Sequence, residues 1–149
     1  MSNADTAIDP TKSTTTSTLR VRFCETDLMG IVHHATYLVY FEAGRVEWLR
    51  RRGITYADWT DRGMQVPVAT AELQYRAPSR FDDLLAIETT LTKLRAVSLD
   101  FTYRILRAET LIATGFTRLA CIDASNKLLR ISDEVRATLL RGEVAPARD

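Results

Sequence analysis

The chain has 149 residues, 46% of them hydrophobic, with 20 Lys plus Arg set against 19 Asp plus Glu. That length fits one domain and that apolar content fills one core, so the bulk of the chain is not disordered. Charges of both signs are interspersed, which excludes the clustered cations of a nucleic-acid footprint, and no run approaches the roughly 18 apolar residues of a membrane span. The bias of 17 Arg over 3 Lys carries no functional weight. Cys24 and Cys121 are the only cysteines and form no metal or C-x-x-C spacing. With no secretory pattern at the N-terminus, they predict two free thiols in a reducing cytoplasm.

Residues 1–18, rich in Ser and Thr, are expected to be a disordered arm that buries too little surface to offset chain entropy. The folded domain is expected over 19–141, followed by a tail over 142–149. Alternation of Leu19, Val21 and Phe23 with Arg20 and Arg22 predicts a strand over 19–24. A loop with Gly30 follows, then a long helix over 34–52 carrying Tyr37, Leu38, Phe41, Val46, Trp48 and Leu49. Its apolar residues fall on more than one side, so it should be largely enclosed. Arg50–Arg52 before Gly53 reads as a solvated, cation-then-glycine stop.

Thr55 and Asp58 make a capping-box spacing for a short helix closed by Gly63. Strands are predicted over 65–77, 84–94, 98–107 and 110–122, the last apolar on both faces and hence a candidate subunit interface. A turn over 123–127, a short strand over 128–131 and a helix capped by Ser132 complete the order. One apolar helix against four or five antiparallel strands predicts an α+β, two-layer domain.

Chemistry concentrates in Phe23-Cys-Glu-Thr-Asp-Leu-Met-Gly-Ile-Val-His-His-Ala-Thr-Tyr-Leu. Asp27 sits in the loop between a strand and the long helix. No Ser, Thr, Asp or Asn occupies 32–34 to cap that helix, so its first N–H groups lack an obvious partner. Free N–H groups at a helix start suit an oxygen gaining negative charge, and a nearby carboxylate can activate water or attack a carbonyl.

That segment resembles the active-site signature of the 4-hydroxybenzoyl-CoA thioesterase family of hotdog-fold proteins. Tyr75-Arg-Ala-Pro-Ser-Arg-Phe-Asp-Asp resembles the family's second, strand-and-turn segment. The resemblance implies a hotdog fold, an antiparallel sheet wrapped around one long central helix, and an acyl-CoA thioesterase. Asp27 then matches the catalytic aspartate, and Gly30 the loop glycine. His34 matches the position whose N–H polarises the thioester carbonyl; in one branch that histidine's side chain also assists. Ala35 and Tyr37 follow in the substrate-binding helix onset, and Arg95 falls where basic residues contact CoA phosphates, although Ala96 and Val97 depart from the more basic versions. The resemblance also implies a homodimer or homotetramer with the site at a subunit interface, and no metal or organic cofactor.

Glu25-Thr-Asp-Leu-Met-Gly is also similar to hotdog thioesterases that release acyl chains from an acyl carrier protein; Asp27, where those carry Asn, favours CoA. The rivals are a hotdog dehydratase and a non-catalytic acyl-thioester binding module. His33 reads as a satisfied loop or core residue, diverging from His34 by about 100° if both are helical. Cys24 reads as a buried small hydrophobe, and Glu42 on the helix is the fallback base.

Overall fold

The computed structural model describes residues 8–144. Five strands form one antiparallel sheet: β1 (Thr14–Arg20), β2 (Val68–Tyr75), β3 (Leu84–Leu94), β4 (Ser98–Arg107) and β5 (Thr110–Ala120), ordered β1-β3-β4-β5-β2. Three α-helices accompany them: α1 (Thr36–Arg50), α2 (Tyr56–Asp61) and α3 (Asp133–Leu140). The α+β, antiparallel expectation therefore holds.

The register follows from alternation. In β4, Leu99, Phe101, Tyr103 and Ile105 are buried on one face, and Phe101 and Tyr103 meet α1 there. Phe41 stacks on Tyr103 with centroids 4.2 Å apart, and Trp48 meets Phe101 edge-on at 5.2 Å. Two glycines permit this contact. A Cβ at Gly44 would stand 2.9 Å from Ile87 Cγ2, and one at Gly115 would collide with the Phe41 ring.

α1 starts and ends two residues inside the expected limits. Thr55 and Ser132 cap α2 and α3 as predicted, accepting the Asp58 and Val135 N–H groups.

The N-terminal reading needs correction. The first strand is 14–20, not 19–24, so the expected arm over 1–18 contributes to the sheet; its residues 1–7 lie outside the described residues. Thr is depleted from apolar cores but favoured on half-buried strands, and β1 carries four of them beside one Ser. Thr14 shares a 2.8 Å hydrogen bond with Thr90 across the β1–β3 pair. Phe23–Glu25 is instead a 3-10 turn, and this leaves Cys24 exposed rather than buried.

Arg52 is another correction: it is fully buried, not solvated. Its guanidinium lies 3.7 Å from the Trp48 ring centroid and donates to Thr15 Oγ1, Trp48 O and Lys12 O at 2.7–2.9 Å. Burial pushes it down to about 10, still charged at neutral pH. The start of the expected tail joins the same cluster, Glu143 accepting from Thr15 at 2.7 Å; residues 145–149 lie outside the described residues. Residues 128–131 make only an isolated bridge, Ile122 with Leu128, not a strand. β5 lies inside the sheet, with both of its edges paired, to β4 and to β2.

Arg95 lies in the β3–β4 turn and pairs with the buried Asp100 at 2.7 Å, beside Arg118 at 2.8 Å. Burial alone would raise the Asp100 carboxyl, but hydrogen bonds and charge from Arg118 and Arg95 outweigh it and hold the group below the usual carboxylate range.

Two outcomes follow. Arg52→Ala should lower stability in urea unfolding by ~3 kcal/mol, through lost packing and charged hydrogen bonds. Asp100→Asn should cost about 3 kcal/mol at neutral pH. A carboxyl with a lowered folded-state pKa contributes stability above its unfolded pKa and loses it as pH falls, so the gap between parent and Asp100→Asn should close below about pH 4.

Candidate active site

The loop before α1 is built by its own hydrogen bonds. Asp27 N–H donates to Ile31 O and Gly30 N–H to Asp27 O, both at 2.9 Å. Asp27 Oδ1 accepts the Met29 N–H at 2.9 Å, an Asx turn. Among the described residues, Asp27 Oδ2 has no protein partner. Gly30 has φ +75°, which L side chains rarely adopt, so glycine is required for the backbone rather than for space.

Glu25 anchors this loop from below. Its buried carboxylate accepts the Arg22 N–H at 2.7 Å and the Tyr40 hydroxyl at 3.2 Å, and its carbonyl accepts the His33 N–H at 2.9 Å. Burial, and then the Glu25 charge, push the Tyr40 phenol well above its ordinary range, so it remains a donor.

Asp27, Met29, Ile31, Val32, His34, Tyr37, Tyr75, Arg76, Ala77 and Pro78 enclose a cavity of about 400 Å³. The Tyr75 hydroxyl donates to His34 O at 2.9 Å, tying the end of β2 to the start of α1. The Tyr37 hydroxyl shares a 2.8 Å hydrogen bond with the buried Ser79. Burial pushes the Tyr37 phenol up, and Ser79 only partly offsets this.

α1 has no side-chain cap at Ala35. Among the described residues the His34 N–H donates to no protein acceptor. Ala35 N–H, in contrast, is taken by His33 Nδ1 at 3.1 Å. His33 and His34 precede the helix instead of lying on it, and their rings approach to 4.0 Å with a 32° tilt, so they do not diverge.

The fold thus gathers three predicted residues, Asp27, His34 and Tyr37, on one cavity. Gly30 and Ala35 shape its backbone without lining it. Arg95 is not brought there. Arg107, at the other end of β4, contacts Pro78 of the cavity wall, and ten strand residues separate the two ends by on the order of 30 Å. Glu42 is exposed in a separate groove between β1 and α1. Tyr75, Arg76 and Ser79 carried no assigned role in the sequence reading, although they lie in the second motif quoted above. Arg80 also comes close, its Nη1 lying 3.9 Å from where a Gly30 Cβ would stand. Among the described residues no cluster of three His, Cys, Asp or Glu is gathered, and no helix is long and apolar enough to cross a membrane.

Comparison with known proteins agrees with this architecture. Residues 21–139 match the model of the thioesterase-like superfamily. The acyl-CoA thioester hydrolase YbgC of Escherichia coli is 36% identical over 106 residues, 70% of this chain and 79% of that protein. The crystal structure of the hypothetical protein TT1821 from Thermus thermophilus is 40% identical with a TM-score of 0.80, covering 83% of this chain and 95% of that one. DHNA-CoA thioesterase from Staphylococcus aureus is 27% identical with a TM-score of 0.76, covering 78% and 80%. The chain belongs to the thioesterase-like superfamily, within the hotdog-fold thioesterases.

Proposed function

We propose that this chain is an acyl-CoA thioesterase that uses the Asp27 carboxylate as general base or nucleophile and the His34 N–H as oxyanion donor. One observation carries the reading: a carboxylate with one oxygen tied to the loop and the other unpartnered shares a cavity with the open N–H at an uncapped helix start. Family membership and the YbgC relative support thioester hydrolysis as the reaction class. In this reading the sheet curls around α1 as the central helix.

Asp27 takes a proton from water attacking the thioester carbonyl, or attacks that carbon itself. The carbonyl oxygen gains charge and accepts from the His34 N–H. Collapse of the tetrahedral centre breaks the C–S bond. With water as nucleophile, the proton taken up by Asp27 passes to the leaving sulfur, and CoA thiol and free acid depart. With Asp27 as nucleophile, CoA leaves first and a water then hydrolyses the acyl-Asp27 anhydride, supplying the thiol's proton and releasing the acid. Tyr37 and Tyr75 supply apolar wall for the acyl group. In place of Arg95, Arg76 and Arg80 are the cations at the cavity rim that suit the CoA phosphates.

A second copy completes the site. Phe23, Leu28, Met29, Tyr75 and Phe81 are all more than half exposed around the loop and cavity, and β2 leaves one sheet edge unpaired. Exposed apolar surface beside an open strand edge favours self-association.

Asp27→Asn should lower kcat for thiol release by about 10³-fold or more, while keeping the Asx turn and unfolding like the parent. Asp27→Ala should be as inactive and also lose ~1 kcal/mol of stability. Undiminished hydrolysis by Asp27→Asn, tested on short, long and aromatic acyl-CoAs and one acyl carrier protein substrate, would end the proposal. Replacing Arg76 and Arg80 together with Ala should raise KM for acyl-CoA about tenfold, with less effect in high salt, and leave truncated pantetheine thioesters unaffected.

A further inference from the structure

We infer that His33 is a positioning residue for this reaction, acting through the backbone that opens α1; the inference rests on the function proposed above. The Ala35 N–H donates to its Nδ1 at 3.1 Å. The imidazole therefore does what a capping Asn or Asp would do, receiving the N–H two residues on, at a helix whose own cap position is the apolar Ala35. The same peptide is held at its other polar atom, because Tyr75 donates to His34 O at 2.9 Å. The preceding peptide is held too. His33 O accepts the Thr36 N–H at 2.9 Å, and in the peptide before that the His33 N–H donates to Glu25 O at 2.9 Å.

Every backbone polar atom flanking the His34 N–H is thus engaged, and the His34 N–H alone is left open. The donor lies in the His33–His34 peptide, whose rotation would swing it away from the carbonyl it must meet, and the tied His34–Ala35 plane fixes the turn that follows it. A fixed donor costs no reorganisation at the moment charge develops. His33 does not touch the substrate in this arrangement; it sets where the donor points.

The contact also fixes the protonation state. Nδ1 accepts only when it carries no proton, which requires neutral His33 with its proton on Nε2. Protonation turns Nδ1 into a donor facing another donor, and the cap opens. His34 lies beside His33 on the same segment, and Glu25 meets it through its carbonyl while its carboxylate is held by Arg22 and Tyr40. No ion pair to His33 is present among the described residues.

Two variants separate a positioning role from a structural one. His33→Asn keeps an acceptor for the Ala35 N–H but cannot titrate; His33→Phe keeps a ring without an acceptor. His33→Phe should lower kcat about tenfold or more at nearly constant KM. His33→Asn should stay within about threefold of the parent. Equal losses in both variants, or parental kcat in His33→Phe, would overturn the inference.

NMR tests the cap without any turnover. In a His34→Gln chain, where His33 is the sole imidazole, the Ala35 amide should titrate together with the His33 ring. An amide indifferent to that titration overturns the cap itself. A titrating amide in a parent chain that releases no thiol from any acyl-CoA leaves the cap standing, overturns the functional reading, and removes the catalytic role inferred from it.

Discussion

The close approach of α1 to the sheet is the constraint on which everything else depends. Gly44 lets the helix backbone settle on Ile87 and Thr89 of β3, and Gly115 leaves room for the Phe41 ring over β5. With those two side chains absent, Phe41 stacks on Tyr103 and Trp48 closes on Phe101. Interiors packed at this density do not deform continuously. The helix axis is therefore fixed, and with it the place where the helix starts. That start is where the Tyr75 hydroxyl reaches from the end of β2. A chemical site at the beginning of α1 is thus positioned by packing some distance along it.

Local structure and chemistry use the same atoms in the loop before α1. Asp27 is a turn residue through Oδ1 and a candidate catalytic group through Oδ2. Glu25 is a carboxylate spent wholly on architecture, holding Arg22, Tyr40 and, through its carbonyl, His33. The difference lies in satisfaction. A buried carboxylate surrounded by donors is fully engaged, whereas one with an unpartnered oxygen at a cavity wall is available to a substrate.

Much of this was legible in the residues. The Pro-free apolar run and terminal Gly53 of α1, the alternation in β4 and the capping residues of α2 and α3 each encode a local rule, and each element appears within about two residues of its expected limits. The loop of Asp27, Gly30 and His34 was singled out through its resemblance to a family signature, and its local hydrogen bonds lie within the segment so marked. What stayed hidden depends on distant partners. Strand β1 hides in a Ser/Thr run because its pairing is set by β3. Arg52 reads as a solvated helix end until Thr15, Lys12 and Trp48 surround it. Arg95 shows in the sequence none of its tie to the buried Asp100. In each case a polar residue's role is decided by a group many residues away, which no local period records.

The central claim is geometric, so a structure with a bound ligand tests it most directly. A crystal structure of the full chain with a non-hydrolysable ketone analogue of an acyl-CoA should place the analogue's carbonyl oxygen within hydrogen-bond distance of the His34 N–H. Its carbonyl carbon should face the Asp27 carboxylate, directly or across one water. An analogue whose carbonyl lies away from both groups in every subunit would contradict the account.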